Sequence, residues 1–229
     1  MMDSGYLLSL FEACLVAPYR HVEEDGSFYV ARENDRVTVF FEKSNGIEDW
    51  RNNFRFSARP YGEMRDVWLC HRGFMRVFRA LLSYLEEIFL DESVRHFRFV
   101  GYSHGAALAF LAHEYVTFHR PDMIDAVEGY GFGCPRVVAG YISPEFKKRM
   151  AGFTVVKNLD DLVTHLPPRI FGYRHVKKPY VIGKRGEYSM IDAHRDTSYR
   201  RELLRLAYSE EKKEDACDTG RNGSCSCRK

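Results

Sequence analysis

The sequence predicts an α/β fold, a mostly parallel central sheet with helices on both faces, and three observations lead there. Short runs rich in β-branched and aromatic residues, such as Arg36–Phe41, 97–100, 126–132 and 153–156, alternate with helical patterns, the order produced when parallel strands are joined by helical crossovers. One of these runs enters a helical pattern through Gly101, Tyr102, Ser103, His104 and Gly105, a Gly-x-Ser-x-Gly turn. The 229 residues, with 45% hydrophobic and 29% charged side chains, suit one undivided core.

The elements follow in chain order. Leu7, Leu8, Phe11 and Leu15 recur at helical spacing, so residues 5–17 are expected to form an amphipathic helix covering an edge of the sheet. Residues 27–31 and 36–41 read as a hairpin turned at Glu33, Asn34 and Asp35. A short helical pattern runs from Ile47 to Phe54. A longer one spans 73–89, with Phe74, Val77, Phe78, Leu81, Leu82, Leu85 and Ile88 on one face. Strands are expected at 97–100, 126–132, 153–156 and 180–182, and a closing helix at 202–208. From Ser209 the chain turns polar and charged, so the division expected is one domain over 1–208 and a disordered tail over 209–229.

Composition excludes several classes. A net charge of +2, with aromatic residues inside apolar runs rather than between basic ones, argues against nucleic-acid binding. No stretch approaches the ~18 apolar residues a bilayer span needs. The apolar residues 7–17 follow Asp3 instead of a basic segment and are interrupted by Glu12, a poor fit to a secretory signal, so a cytoplasmic location is expected. Cys14, Cys70 and Cys134 sit in apolar surroundings and read as buried free thiols. Cys217, Cys225 and Cys227 fall in the charged tail without a fourth ligand, so no metal site is expected there, and the chemistry below needs no cofactor.

The pentapeptide carries the chemistry. A strand that feeds a helix through Gly-x-Ser-x-Gly is the nucleophile elbow of α/β-hydrolases, in which a tight turn lifts the serine hydroxyl clear of the sheet. A serine hydroxyl is a weak nucleophile at neutral pH, so Ser103 needs an imidazole to take its proton and a carboxylate to orient that imidazole. In this fold the order along the chain is Ser, then acid, then His. Asp160 and Asp161 lie just past the strand ending near Val156, and His175 and His194 lie beyond them. His96, His113 and His119 fall on or beside helices and need no function. The backbone N–H of His104, following the nucleophile, is one expected oxyanion donor.

Further motifs resemble the class 3 lipases. Asp161, Leu162, Val163, Thr164, His165, Leu166, Pro167 and Pro168 resemble that family's Asp-Ile-Val-x-x-Leu-Pro-Pro acid motif. Gly131–Val137 is similar to its Phe-Gly-x-Pro-Arg-Val stretch, and Cys70–Phe74 to its Val-His-x-Gly-Phe. The resemblance, over about residues 37–199, implies Asp161 rather than Asp160 as the acid. It implies His194, in Ile191-Asp192-Ala193-His194, as the base and gives His175 a structural place, with Tyr199 coming later than the family's tyrosine. It also implies Ser44 as second oxyanion donor, ending Phe41-Glu42-Lys43-Ser44 where the family has Phe-Arg-Gly-Ser/Thr, and a lid helix with Ile47, Trp50 and Phe54 on one face. Lys43 in the family's glycine position would carry a steric penalty if φ there is positive. The activity implied is hydrolysis of acylglycerols or similar lipid esters, with a lipid or small ester as substrate and transient contact with a lipid interface. The alternatives are a phospholipase acting on an acyl ester and a noncatalytic binding module on the same fold.

Overall fold

The structure, a computed structural model, describes residues 3–22, 26–43, 58–60 and 68–221, with side chains described through residue 212. The opening helix α1 (Ser4–Val16) buries Leu7, Leu10, Phe11 and Cys14, and Asp3 caps it by accepting the Tyr6 N–H. β1 (Arg20–Val22), β2 (Gly26–Glu33) and β3 (Arg36–Phe41) follow as an antiparallel meander, with Asn34 in the left-handed region at the hairpin turn. β4 (Ala58–Pro60) and β5 (Leu69–His71) precede the long helix α2 (Arg72–Phe89). β6 (His96–Tyr102) then turns sharply into α3 (His104–His119). The rest comprises β7 (Val127–Phe132), β8 (Val138–Ala139), α4 (Pro144–Arg149), β9 (Phe153–Asn158), β10 (Tyr173–Arg174), β11 (Tyr180–Ile182) and α5 (Asp196–Arg221).

The main sheet has the order β1-β2-β3-β6-β7-β9-β11, with every pairing from β3 to β11 parallel. Strand alternation divides its side chains between two cores. Val37, Val39, Phe41, Phe97, Phe99, Val127, Phe153 and Val155 pack under α2 and α3. Phe40, Val100, Tyr102, Phe132, Val156 and Ile182 pack under α1 and α5. α3 is buried on nearly every side, which requires apolar and small residues all round, and its buried Glu114 is taken by Arg149 of α4 at 2.8 Å.

Three expectations change here. α1 lies on a face of the sheet, not along an edge, because Phe11 packs on Tyr102, Phe132 and Tyr199 at 5.4, 4.9 and 5.8 Å between ring centres. The closing helix expected over 202–208 spans Asp196–Arg221, so no break in structure occurs at 208; Glu210 accepts from both the N–H and the hydroxyl of Ser4 at 2.9 Å, anchoring α5 to α1. A second, four-stranded antiparallel sheet, β10-β8-β5-β4, has no counterpart in the expected elements. Among the described residues, no helix is long and apolar enough to cross a membrane.

Candidate active site

The site assembles at the C-terminal ends of β6, β7 and β9, where an open α/β sheet leaves room for one. Ser103 holds φ 57° and ψ −120°, a conformation that side chains rarely adopt. Both flanking glycines are required by backbone contacts. A Cβ on Gly101 would stand 2.1 Å from the carbonyl oxygen of Gly105, and one on Gly105 would stand 2.1 Å from that of Phe41. The Ser103 N–H donates to Phe132 at 2.9 Å, locking the elbow onto β7. His104 opens α3, so its N–H lies in the first helical turn, at the positive end of the helix dipole.

Three side chains from distant parts of the chain meet here. Ser103 Oγ lies 2.9 Å from His194 Nε2, and His194 Nδ1 lies 2.8 Å from Asp161 Oδ2. Asp161 is fully buried, and its Oδ1 accepts the Val163 N–H at 2.8 Å. With a carboxylate facing Nδ1, the proton resides on that nitrogen and Nε2 is left to accept from the hydroxyl. Asp160 is separated from this line, as its Oδ2 accepts the Gly186 N–H instead. His175 is also elsewhere: its Nε2 donates to the Thr164 carbonyl at 2.9 Å, and burial pushes its pKa down to about 4. Of the helix-side histidines, His113 and His119 lie on α3 while His96 opens β6.

Several residues without an expected role hold this line in place. Tyr199 of α5 donates to Asp161 Oδ2 at 2.6 Å and accepts the Asn158 N–H at 3.0 Å. Burial, then the Asp161 charge, drives its phenol pKa well up, so it stays a donor. Asn158 Nδ2 donates to the Ala193 carbonyl at 3.0 Å, next to the base. Tyr102 stacks on the His194 ring at 5.3 Å and donates its hydroxyl to the His194 carbonyl. Gly133, at φ 58°, leaves the space the imidazole occupies, since a Cβ there would lie 2.9 Å from His194 Cε1. The signal for Tyr199 was its place five positions beyond His194, beside the apolar Leu203 on the buried side of α5.

Lys43 does not carry the expected penalty. Only Asn34 and Ser103 combine a side chain with positive φ among the described residues, so Lys43 has ordinary backbone geometry. Ser44, Ile47, Trp50 and Phe54 lie outside the described residues. Cys14, Cys70 and Cys134 are buried free thiols, and among the described residues no three metal-ligating side chains gather.

Comparison with known proteins gives this geometry a family. A sequence model described as Lipase (class 3) matches residues 38–171, more than half of the chain. The chain belongs to the class 3 lipase family. It is 28% identical over 158 residues to the secreted mono- and diacylglycerol lipase 1 of Fusarium solani, covering 66% of this chain and 46% of that protein. The chain thus spans about half the length of this curated relative. The fold is that of the Rhizomucor miehei triacylglyceride lipase, with a TM-score of 0.64 at 19% identity over 80% of this chain and 82% of that one. The lipase of Rhizopus microsporus var. chinensis is similar too, with a TM-score of 0.55 at 21% identity over 72% and 58% of the two chains. The expected cytoplasmic location does not stand, because the Fusarium relative is a secreted lipase. Asp3 and Glu12, which argued against a signal, serve the helix: one is the cap of α1 and the other binds Arg200 at 2.7 Å.

Proposed function

We propose that this chain hydrolyses carboxylic esters of lipids, acylglycerols first among them, through an acyl-enzyme on Ser103. The observation that carries the reading is the unbroken line from Ser103 Oγ through His194 to Asp161 at 2.9 and 2.8 Å. A noncatalytic module has no use for a buried carboxylate aligned on an imidazole aligned on a strained serine.

In this reading His194 Nε2 takes the hydroxyl proton as Ser103 Oγ attacks the ester carbonyl. The tetrahedral intermediate collapses when His194 returns the proton to the leaving alcohol. Water then attacks the acyl-enzyme with His194 again as base, releasing the acid and restoring the serine. Asp161 holds the imidazole in its productive tautomer and stabilises the imidazolium that forms. The negative oxygen is met by the His104 N–H, and the family resemblance assigns the second donor to Ser44 and an apolar lid face to Ile47, Trp50 and Phe54, which lie outside the described residues. Two such donors act where charge develops, and losing one costs ~10²- to 10³-fold in rate.

The decisive experiment pairs a fluorophosphonate probe with p-nitrophenyl esters of graded chain length. Labelling and turnover by the wild type, both lost in Ser103→Ala, are expected. A wild type that neither labels nor turns over any ester in the series would overturn the reading.

A further inference from the structure

Lys43 stands where the family resemblance leads one to expect a glycine, and the structure gives its side chain a specific partner. Its Nζ lies 2.8 Å from Asp196 Oδ2. Asp196 is the first residue of α5 and follows His194 by two positions, while Lys43 lies two positions past the end of β3. The ammonium also lies over the Tyr102 ring, 5.7 Å from its centre, and that same ring stacks on His194. The lysine thus touches both the start of the helix after the base and the aromatic platform beneath it. The Lys43 hydrogen bond, more than any other influence, holds the Asp196 carboxyl below the usual carboxylate range.

We propose that Lys43 and Asp196 are positioning residues for the reaction, an ion pair that ties the end of β3 to the turn carrying His194 and presents no net charge to the imidazole. The proposal rests on the ester-hydrolase reading above. It assigns the pair a role in rate, not in stability. The two side chains are 44% and 36% exposed, and pairs this open contribute little to folding.

The surroundings of His194 make the charge balance matter. Asp161 faces the ring from the loop after β9, and its charge is already engaged by Nδ1 and Tyr199. Tyr102 and Tyr199 are kept protonated by burial, as are the thiols of Cys14 on α1 and Cys134 after β7. On its own turn, Asp192 and Arg195 neutralise each other at 3.1 Å. Glu42 lies beside Lys43, its Oε2 3.5 Å from Nδ1 of the solvent-facing His21, and its charge is common to the wild type and both variants. Removing one member of the Lys43–Asp196 pair therefore leaves a bare charge close to the base.

Lys43→Met keeps the aliphatic stem over Tyr102, and Asp196→Asn keeps the Oδ1 that accepts the Thr197 N–H at 2.8 Å. Each single variant is expected to lower kcat several-fold on a short soluble ester with KM and Tm little changed. The acid limb of the pH–rate profile, and the midpoint of the His194 imidazole titration followed by NMR, should move in opposite directions: up by roughly 0.3–1 pH unit for Lys43→Met, where a bare carboxylate favours the imidazolium, and down by a similar amount for Asp196→Asn. The double variant should return the limb to its wild-type position while kcat stays low, and Lys43→Arg should restore kcat. Unmoved titrations and rates within twofold of wild type in both single variants would overturn the proposal, as would shifts of one sign. The NMR titration needs no turnover, so failure of the pair and failure of the ester-hydrolase reading are separately visible.

Discussion

The serine elbow and the turn carrying His194 solve the same problem, holding one side chain to a fraction of an ångström, by opposite means. At the elbow the backbone does the work. Gly101 meets Gly105, Gly105 meets Phe41, and no side chain fits either contact. The base turn has no such steric lock. It is a single 3₁₀ turn, Asp192–His194, held by polar groups from elsewhere: Asn158 on the Ala193 carbonyl, Tyr102 on the His194 carbonyl, and the Lys43–Asp196 pair just beyond. Sterically built sites fail all at once when a glycine is filled, whereas sites built from hydrogen bonds weaken by steps.

That contrast can be broken or sharpened in order of effect. His194→Ala should lower kcat on a short ester by on the order of 10⁴-fold or more, and because it takes a partner from the buried Asp161 carboxylate it should lower the Tm as well. Stopped assays and calorimetry on one preparation check both halves. At the elbow, Gly105→Ala is expected to cost about 3 kcal/mol or more, since its Cβ would meet backbone oxygen rather than a yielding side-chain tip. Denaturant unfolding reads this as a lower midpoint at unchanged slope, and a stable, active Gly105→Ala would refute the steric account.

Tyr199→Phe should fall between these extremes. It removes a donor from Asp161 and leaves the buried Asn158 N–H without its acceptor, a loss of about 1–3 kcal/mol in stability. Activity is expected to fall about tenfold rather than vanish, because His194 keeps its own bond to Asp161. Steady-state kinetics beside urea unfolding would show the graded loss.

The effect least tied to the site is a pH dependence on the α3 side of the sheet. Burial lowers His113 to about 3 and His175 to about 4, from an ordinary 6.5. Both stay neutral in the folded protein at pH values where the unfolded chain takes up protons. Their contribution is therefore complete above about 6.5 and drains away as pH falls toward 4 and then 3. At pH 5 the loss is about 2 kcal/mol per imidazole. Unfolding free energies at pH 7.5 and 5.0 should show this decline, and His113→Gln should flatten it.

Much of the fold was legible because its strands are long enough to show a pattern. β3, β6, β7 and β9 are β-branched or aromatic runs, and α2 carries its apolar face at regular steps. The small sheet was not, since strands of two or three residues such as β8 and β10 have no periodicity to read. The extension of α5 past residue 208 depends on Glu210 finding Ser4 at the opposite end of the chain, a contact that local polarity conceals.

Five consecutive residues were enough to single out Ser103, because the elbow is a local steric device and they contain its whole requirement. Family motifs also pointed to Asp161 and His194, though the bare residues left two aspartates and two histidines in play. The choice between them in space belongs to the tertiary structure, which sends Asp160 to Gly186 and His175 to Thr164 while aligning Asp161 and His194 on Ser103. It alone brought in Tyr199 and Lys43, which act across gaps of 38 residues to Asp161 and 153 to Asp196. Such contacts are made by the packing of α5 against the sheet, and no short window of sequence contains both partners.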